Sequence, residues 1–446
     1  MRTLLKRALP FAVLATQLVI SPQARAATYY GRITSGGFVS KETFAHASDG
    51  QTSNDFLTAS ARLFYRISDL GDSKVETTID LRDKNDFFDK LDRERLLLTS
   101  KNTFQARQLS IALPNNRGPL YGIIGRFPVS EAGPVHVDGA EAGLRWSPTF
   151  RASVFGGYNP ERPDQTSLQY NPDSQVLGAY AVLQPKPGES TYFYMNNAAV
   201  VQRVSGHTDR LFWANHFVYR WKSPNSVTGL FNFDFVPRSY LQFASLSWFQ
   251  EWLKGRSSTV NLTAFDVIQY SRRQGVLETL PPSPYREAAL RLRHRMNSVT
   301  TMNLNFSHGL RLNDLLQRTE LSAGPSFLQF ISRHFSAEAL LGYRRNFTSR
   351  DTFFRFDLGW YSRFWEINFN GEAGIRVEPG LSTLHPVLTE LGIAHFFSKG
   401  FYGTASIQDA WDERVNIVSG FVKFGYRFGS QDVAPLRDGA PPRGHL

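Results

Sequence analysis

Three arginines on one short stretch define the chemistry this sequence offers. Within 285–295, Ala288, Leu290 and Leu292 alternate with Glu287, Arg291, Arg293 and Arg295, so an extended chain presents three bases and one acid on a single side. Guanidinium groups spaced this way along a wet wall raise the local anion concentration and select against cations. The same alternation puts Arg62, Arg145, Arg151, Arg355, Lys423 and Arg427 on such a face, with Glu141, Asp357, Glu366, Glu372 and Glu390 as acidic counterparts. Arg107 and Arg126 join them from segments that alternate poorly. A second reading pairs these arginines across strands with the acids, so that they fill an interior and select nothing. It is weakest at Arg291, Arg293 and Arg295, where a single acid shares the face.

Catalytic chemistry finds no constellation. The ten histidines are scattered, and none falls at a metal-ligand spacing. There is no Gly-x-Ser-x-Gly elbow and no phosphate-binding glycine loop. The absence of cysteine excludes disulfides and thiolate metal sites. The expectation is a protein that is not an enzyme and holds no cofactor and no metal. Asp409, Asp412 and Glu413 either form a solvated acidic loop or hold a divalent cation beside lipopolysaccharide.

Side chains ordered at period two need strands to carry them. Leu57, Ala59, Ala61, Leu63, Tyr65 and Ile67 oppose Thr58, Ser60, Arg62 and Arg66. A turn at 68–72 follows, and Val75, Thr77, Ile79 and Leu81 then oppose Lys74, Glu76, Thr78, Asp80 and Arg82, which makes a hairpin. The unit recurs around turn signals at 114–119, 147–149, 184–190, 222–226, 251–257, 297–299, 332–334, 361–363 and 398–400. Ten hairpins with an opening segment 29–38 and a closing one 415–428 give 22 strands; weak alternation at 29–38, 105–113 and 318–327 leaves 18 and 20 open. Longer connections at 37–54, 83–102, 129–138, 159–175 and 271–284 would lie at the other end, with a helical turn or two conceivable over 86–98. No segment after residue 26 approaches eighteen consecutive apolar residues, which excludes helical spans. A soluble sandwich or propeller would show a repeated motif, and none is found.

The first residues read as an export signal: Arg2, Lys6 and Arg7, an apolar run from Ala8 to Ile20, then Ala24-Arg25-Ala26. Removing 1–26 takes four bases and no acids, so the formal charge falls from +11 to +7. Export removes nucleic acid as the partner of this Arg-rich chain. Domains are therefore expected at 1–26 (signal), 27–428 (barrel) and 429–446, a proline-bearing disordered periplasmic tail able to meet envelope proteins.

Aromatics give an independent check, because a membrane barrel carries rings of them at its interfaces. Tyr65, Trp146, Trp221, Trp248, Trp360, Trp365 and Tyr402 all flank the tight turns and are read as a periplasmic girdle. The closing segment 415–428 alternates apolar and polar residues and ends in Phe424, Tyr426 and Phe428. It resembles the last strand of Gram-negative outer-membrane β-barrels, and the resemblance implies recognition by the barrel-assembly machinery. It departs from that pattern because residues 429–446 follow the final Phe. Gly125-Arg126-Phe127, Val137-Asp138-Gly139-Ala140 and Val154-Phe155-Gly156-Gly157-Tyr158 resemble a diffuse pattern of porin-like barrels. Together these imply an all-β, transmembrane, up-and-down antiparallel barrel in the outer membrane, in contact with lipid and lipopolysaccharide. Two functions follow: a passive channel for small hydrophilic, anionic solutes, or a non-conducting anchor of a secretion, adhesion or motility complex.

Overall fold

The computed structural model describes residues 28–45, 53–68, 75–87, 102–114, 118–133, 135–160, 170–185, 191–236, 239–266, 284–380, 382–397 and 400–430. The expected signal, nearly all of the tail and the expected helical turn over 86–98, apart from its first two residues, lie outside them. The strands are β1 (Thr28–Phe44), β2 (Ser53–Ser68), β3 (Glu76–Asp86), β4 (Asn102–Leu113), β5 (Leu120–Val129), β6 (Val135–Ser147), β7 (Phe150–Pro160) and β8 (Tyr170–Leu183). There follow β9 (Tyr192–Val204), β10 (His207–Lys222), β11 (Asn225–Val236), β12 (Tyr240–Leu253), β13 (Arg256–Phe265), β14 (Tyr285–Arg295) and β15 (Thr300–Arg311). The last are β16 (Gln317–Leu328), β17 (Phe335–Asn346), β18 (Ser349–Tyr361), β19 (Trp365–Val377), β20 (Val387–Phe396), β21 (Phe401–Trp411) and β22 (Val415–Gly429). Each pairs antiparallel with its sequence neighbours, and β1 pairs with β22, so 22 strands close into an up-and-down barrel.

Pairing preserves sidedness, because residues directly opposite share a face. Leu290, Phe306, Leu321, Tyr343, Thr352 and Ile375 form one such row from β14 to β19. One residue along lies the row Arg291, Asn305, Ser322, Gly342, Phe353 and Gly374, on the opposite face. The first face is apolar yet open: Ile124, Val154 and Leu177 are 68%, 59% and 61% exposed. In water that surface would be a gross liability, whereas in hydrocarbon it is the expected exterior. The second face, with its charges, lines the lumen.

Ten connections lie at the end that also holds both ends of the strand order, and all ten coincide with the turn signals in the sequence. At the opposite end the strands run further than their hydrophobic alternation. β1 continues to Phe44, where a loop was expected from residue 37, and β3 reaches Asp86. Beyond the hydrocarbon zone an outward position no longer needs an apolar side chain; Lys41 there sits opposite Asp55. Loss of alternation marks the edge of the membrane, and the ladder continues into water. Two connections at this end are very short, Ser205-Gly206 and Phe347-Thr348.

The barrel closes along β1 and β22, from Tyr30 opposite Gly429 to Phe44 opposite Val415. Phe428 lays its ring over Gly31 and stacks with Tyr65 at 5.9 Å and Tyr426 at 5.7 Å. A Cβ on Gly31 would lie 2.2 Å from the ring tip, so only glycine leaves the seat vacant. Gly31→Leu is expected to destabilise the closed barrel by about 1–3 kcal/mol in urea titrations followed by heat-modifiable gel mobility. Gly37→Leu, whose Cβ would meet nothing nearer than 3.7 Å, should lose much less; equal losses would show that the seat is not what matters.

Candidate functional site

The lumen is shaped by a hairpin that leaves the wall. Gly125, Gly139 and Gly157 stand directly opposite one another across β5, β6 and β7. Gly125 has φ +117°, and a Cβ on Gly139 would lie 2.1 Å from the Gly156 carbonyl oxygen. Above this row β5 stops pairing with β4 at Arg126, and β6 stops pairing with β7 at Asp138. The two strands stay paired to each other up to Val129 and Val135. Their tip is thus free of both flanking strands, and it folds inward.

It docks through its apolar residues. Phe127, Val129, Ala132, Val135 and Val137 join Phe155, Val176, Val182, Val200 and Phe212 in one buried cluster on the lumen side of β7 to β10. A 3-10 turn, Ser130–Ala132, crosses the inner faces of β7 and β8 to reach β9. Its polar groups are matched as well: Glu131 accepts from Arg151 Nη2 at 2.7 Å, and the Glu131 carbonyl accepts from Asn196 Nδ2 at 2.5 Å. Beside them the Tyr180 hydroxyl donates to Glu141 at 2.5 Å, and Ser153 donates to the same oxygen at 3.1 Å. Burial pushes the Glu131 carboxyl up, but hydrogen bonds from Ser130 and Arg151 and the Arg151 charge outweigh it and hold it below its usual range.

Charge dominates the wall facing this hairpin; strand counting puts β18 diametrically across from β7. Arg344 on β17 approaches Glu372 at 2.9 Å, Glu320 at 3.2 Å and Asp351 at 4.0 Å. Arg355 reaches Glu372 at 2.5 Å and Arg376 reaches Asp351 at 3.1 Å, so acids and bases interlock across β16 to β19. Elsewhere in the lumen Arg62 bonds Asp80 at 2.6 Å. Arg210 bonds the fully buried Asp234 at 2.9 Å, with its guanidinium over the Phe212 ring at 3.9 Å. The inner face of β14 differs. Arg291 is bonded to the Asn305 amide oxygen at 2.9 Å and Arg295 to the Asn297 and Ser298 carbonyls. Among the described residues none of Arg291, Arg293 and Arg295 forms an ion pair. A recess of about 240 Å³ lies beside Arg291, Thr259, Asn261, Asn305, Ser307 and Glu320.

The structure places the other residues singled out in the sequence as follows. Arg145 and Arg151 sit opposite each other on the lumen face, and Arg427 lies opposite Arg32 with its guanidinium 5.4 Å from the Tyr402 ring centre. Lys423 faces Gly36 and Thr404. Two bases depart from the expected lining. Arg126 is on the face opposite Phe127, 9% exposed, bonded to Asp138 at 2.5 Å and to the Ala106 carbonyl at 3.1 Å; it fills the gap the hairpin leaves beside β4. Arg107 is the extra residue of a bulge, between Gln108 opposite Asp80 and Ala106 opposite Leu81, and so has no place in a regular row. Of the aromatics, Trp146, Trp221, Trp248, Trp360 and Trp365 point outward at the tight-turn end. Tyr65 points outward too but is covered by Tyr29 and Phe428. Tyr402 turns into the lumen, its ring occupying the space above Gly425, and is therefore no part of an outer girdle. Asp412 accepts the Arg414 and Val415 amides and Glu413 binds His385, so these acids cap turns; among the described residues no group of three potential metal ligands gathers.

Sequence reasoning missed Arg344, the Arg210–Asp234 pair and the inward hairpin. Arg344 was accessible to the same alternation, since Leu341 and Tyr343 face outward beside it.

Every strand is paired on both sides, the exterior is apolar, and charge is confined largely to the interior. This is the architecture of an outer-membrane-type transmembrane β-barrel. No family model and no curated protein matches the sequence. Solved structures of similar shape include OccAB4 of Acinetobacter baumannii (8% identity, covering 92% of this chain and 100% of that one, TM-score 0.45). Others are a BenF-like porin of Pseudomonas fluorescens Pf-5 (10%, 90% and 98%, TM-score 0.46) and Pseudomonas aeruginosa OpdK with vanillate (9%, 90% and 99%, TM-score 0.42). At such scores these likenesses add nothing to what the strand pairing establishes.

A reporter cysteine tests the docked hairpin, because the chain has none of its own. In Ala132→Cys, buried in the native state, thiol labelling should be slow. Adding Glu131→Gln should speed it at least about tenfold, as breaking a largely buried charge pair costs on the order of 1–3 kcal/mol. Because the Glu131 carboxyl is held low, the anchor is complete above the ordinary carboxylate range and fails as pH falls through its depressed value. At each pH the parent and the Glu131→Gln variant should be compared directly, so that the falling thiolate fraction cancels, and the ratio of their labelling rates should approach one in acid; a pH-independent ratio would refute the anchor.

Proposed function

We propose that the barrel is a passive channel for small hydrophilic solutes and that its preference for anions is set on β14. The observation that carries this reading is the contrast within the lumen. Inner arginines such as Arg62, Arg210, Arg344 and Arg355 have acids within ion-pair distance, which offsets their field, while Arg291, Arg293 and Arg295 share the inner face of β14 with Glu287 alone and form no ion pair among the described residues. Three bases against the nearby acids Glu287 and Glu338, the latter bonded to Asn303 opposite Arg293, leave a positive excess that attracts anions across a wet space. The mixed recess beside Arg291, which also holds Leu290, Phe306 and Glu320, offers the Arg291 guanidinium and the Asn261 and Ser307 side chains to a small anion during passage. The inward hairpin supports the same reading, since a ring of 22 strands is wide and a selective channel needs its section narrowed.

Phe424, Tyr426 and Phe428 close the sheet against β1, and we infer that the barrel-assembly machinery engages this strand before closure. The anion preference makes a concrete demand on planar-bilayer recordings. The parent should conduct with a reversal potential on the anion side in a salt gradient. Reversing Arg291, Arg293 and Arg295 to Glu should lower the anion-to-cation permeability ratio by about tenfold or more. Unchanged selectivity removes these residues from the path, and a folded parent that passes no current sinks the channel itself.

A further inference from the structure

We propose that the outer face of the β17–β18 hairpin binds the phosphate of a lipid headgroup. The inference rests on the outer-membrane reading and concerns Arg345 and Arg350. These residues stand directly opposite each other on the outward face, and both are exposed. Like charges in that relation repel. Their chain neighbours Arg344 and Asp351, directly opposite on the inner face, carry opposite signs instead. Among the described residues no acid lies within ion-pair distance of Arg345 or Arg350. Among the described residues nothing supplies the missing negative charge, and an anion from the surroundings would.

Height and surroundings say what kind of molecule brings it. The row that holds the two arginines continues through Thr319 to His308, which are hydrogen-bonded to each other at 2.9 Å. The next outward row toward the barrel's middle is Phe306, Leu321 and Tyr343, within the hydrocarbon belt. The bases thus sit where acyl chains give way to headgroups. This hairpin is at the end away from the tight turns and both ends of the strand order, hence toward the outer leaflet. Two planar guanidiniums side by side match the oxygens of a phosphate monoester, whose charge approaches −2. Acyl chains of the same molecule would lie along Leu321, Leu341 and Phe354 below, the last two being 64% and 47% exposed.

The test uses the purified full-length barrel in detergent and native mass spectrometry. Its probes are lipid A carrying its phosphates, the same lipid A with them removed, and inorganic phosphate alone. The parent should retain phosphorylated lipid A at least about tenfold more than the stripped form, and added salt should weaken that preference. Arg345→Gln with Arg350→Gln should abolish the preference, and Arg345→Lys with Arg350→Lys should keep part of it, both with unchanged heat-modifiable mobility. Equal retention by the Gln variant, indifference of the parent to the phosphates, or occupancy by inorganic phosphate that lipid A does not displace would each overturn the assignment. Binding is read without any current, so a barrel that conducts but ignores the lipid phosphate refutes this inference alone.

Discussion

The bond between first and last strands is the constraint on which everything else depends. In hydrocarbon an unpaired backbone amide or carbonyl costs several kcal/mol, so a sheet with an edge does not survive there. Pairing from Tyr30–Gly429 to Phe44–Val415 removes both edges at once. It also imposes a parity rule on the whole chain. Inner and outer faces are passed from strand to strand by direct opposition, and after a full circuit the assignment has to return unchanged. It does: Thr34 faces inward with Gly425, which faces inward with Tyr402. A one-residue slip in any single strand would turn that strand's apolar residues into the lumen and its charges into lipid. The glycine under Phe428 matters because it lets the aromatic row continue across this seam without lifting the strands apart.

Closure on this scale creates a second problem, which the glycine row at Gly125, Gly139 and Gly157 addresses. A wide ring holds a wide lumen, and side chains alone cannot span it. Releasing the tip of one hairpin costs the ladder bonds it would have made to β4 and β7. Compensation comes from five apolar residues of the tip buried against the inner wall, at about 1.5–3 kcal/mol for each larger side chain, and from Arg126, which donates to the carbonyl of Ala106 where β5 has left. The apolar patch on the lumen side of β7 to β10 would be misplaced in a water-filled channel wall without this cover.

Much of this was legible in the sequence, because period-two alternation and turn chemistry are local signals. All ten tight turns, the strand number and the sidedness of β2, β14 and β22 follow from them. What was not legible depends on events that reset the local frame. A bulge inserts Arg107 and inverts parity beyond it, and the glycine kink swings Arg126 to the back of a hairpin whose front is Phe127. Tyr402 misleads for a different reason. An aromatic beside a tight turn has the composition of a girdle residue whichever way it points, and only its pairing with Gly425 shows that it points inward. The glycines were visible, yet nothing in a linear reading says that three of them will stand in one row.

The distribution of charge follows from the same geometry. An arginine on a strand has neighbours fixed by register, so whether its field reaches the lumen is decided by what stands opposite. On β16 to β19 the opposing residues are acids, and the result is a cross-braced wall in which Arg344 alone touches three carboxylates. Such a wall is stiff and nearly silent to a passing ion. On β14 the opposing residues are Ser257, Thr259, Thr301, Asn303 and Asn305, none of them charged, and Asn305 accepts a hydrogen bond from Arg291. Counting arginines in the lumen therefore says little about selectivity. What matters is the residue across the ladder from each of them, and on the proposed reading that is how a short stretch of one strand would outweigh a larger number of bases elsewhere in the ring.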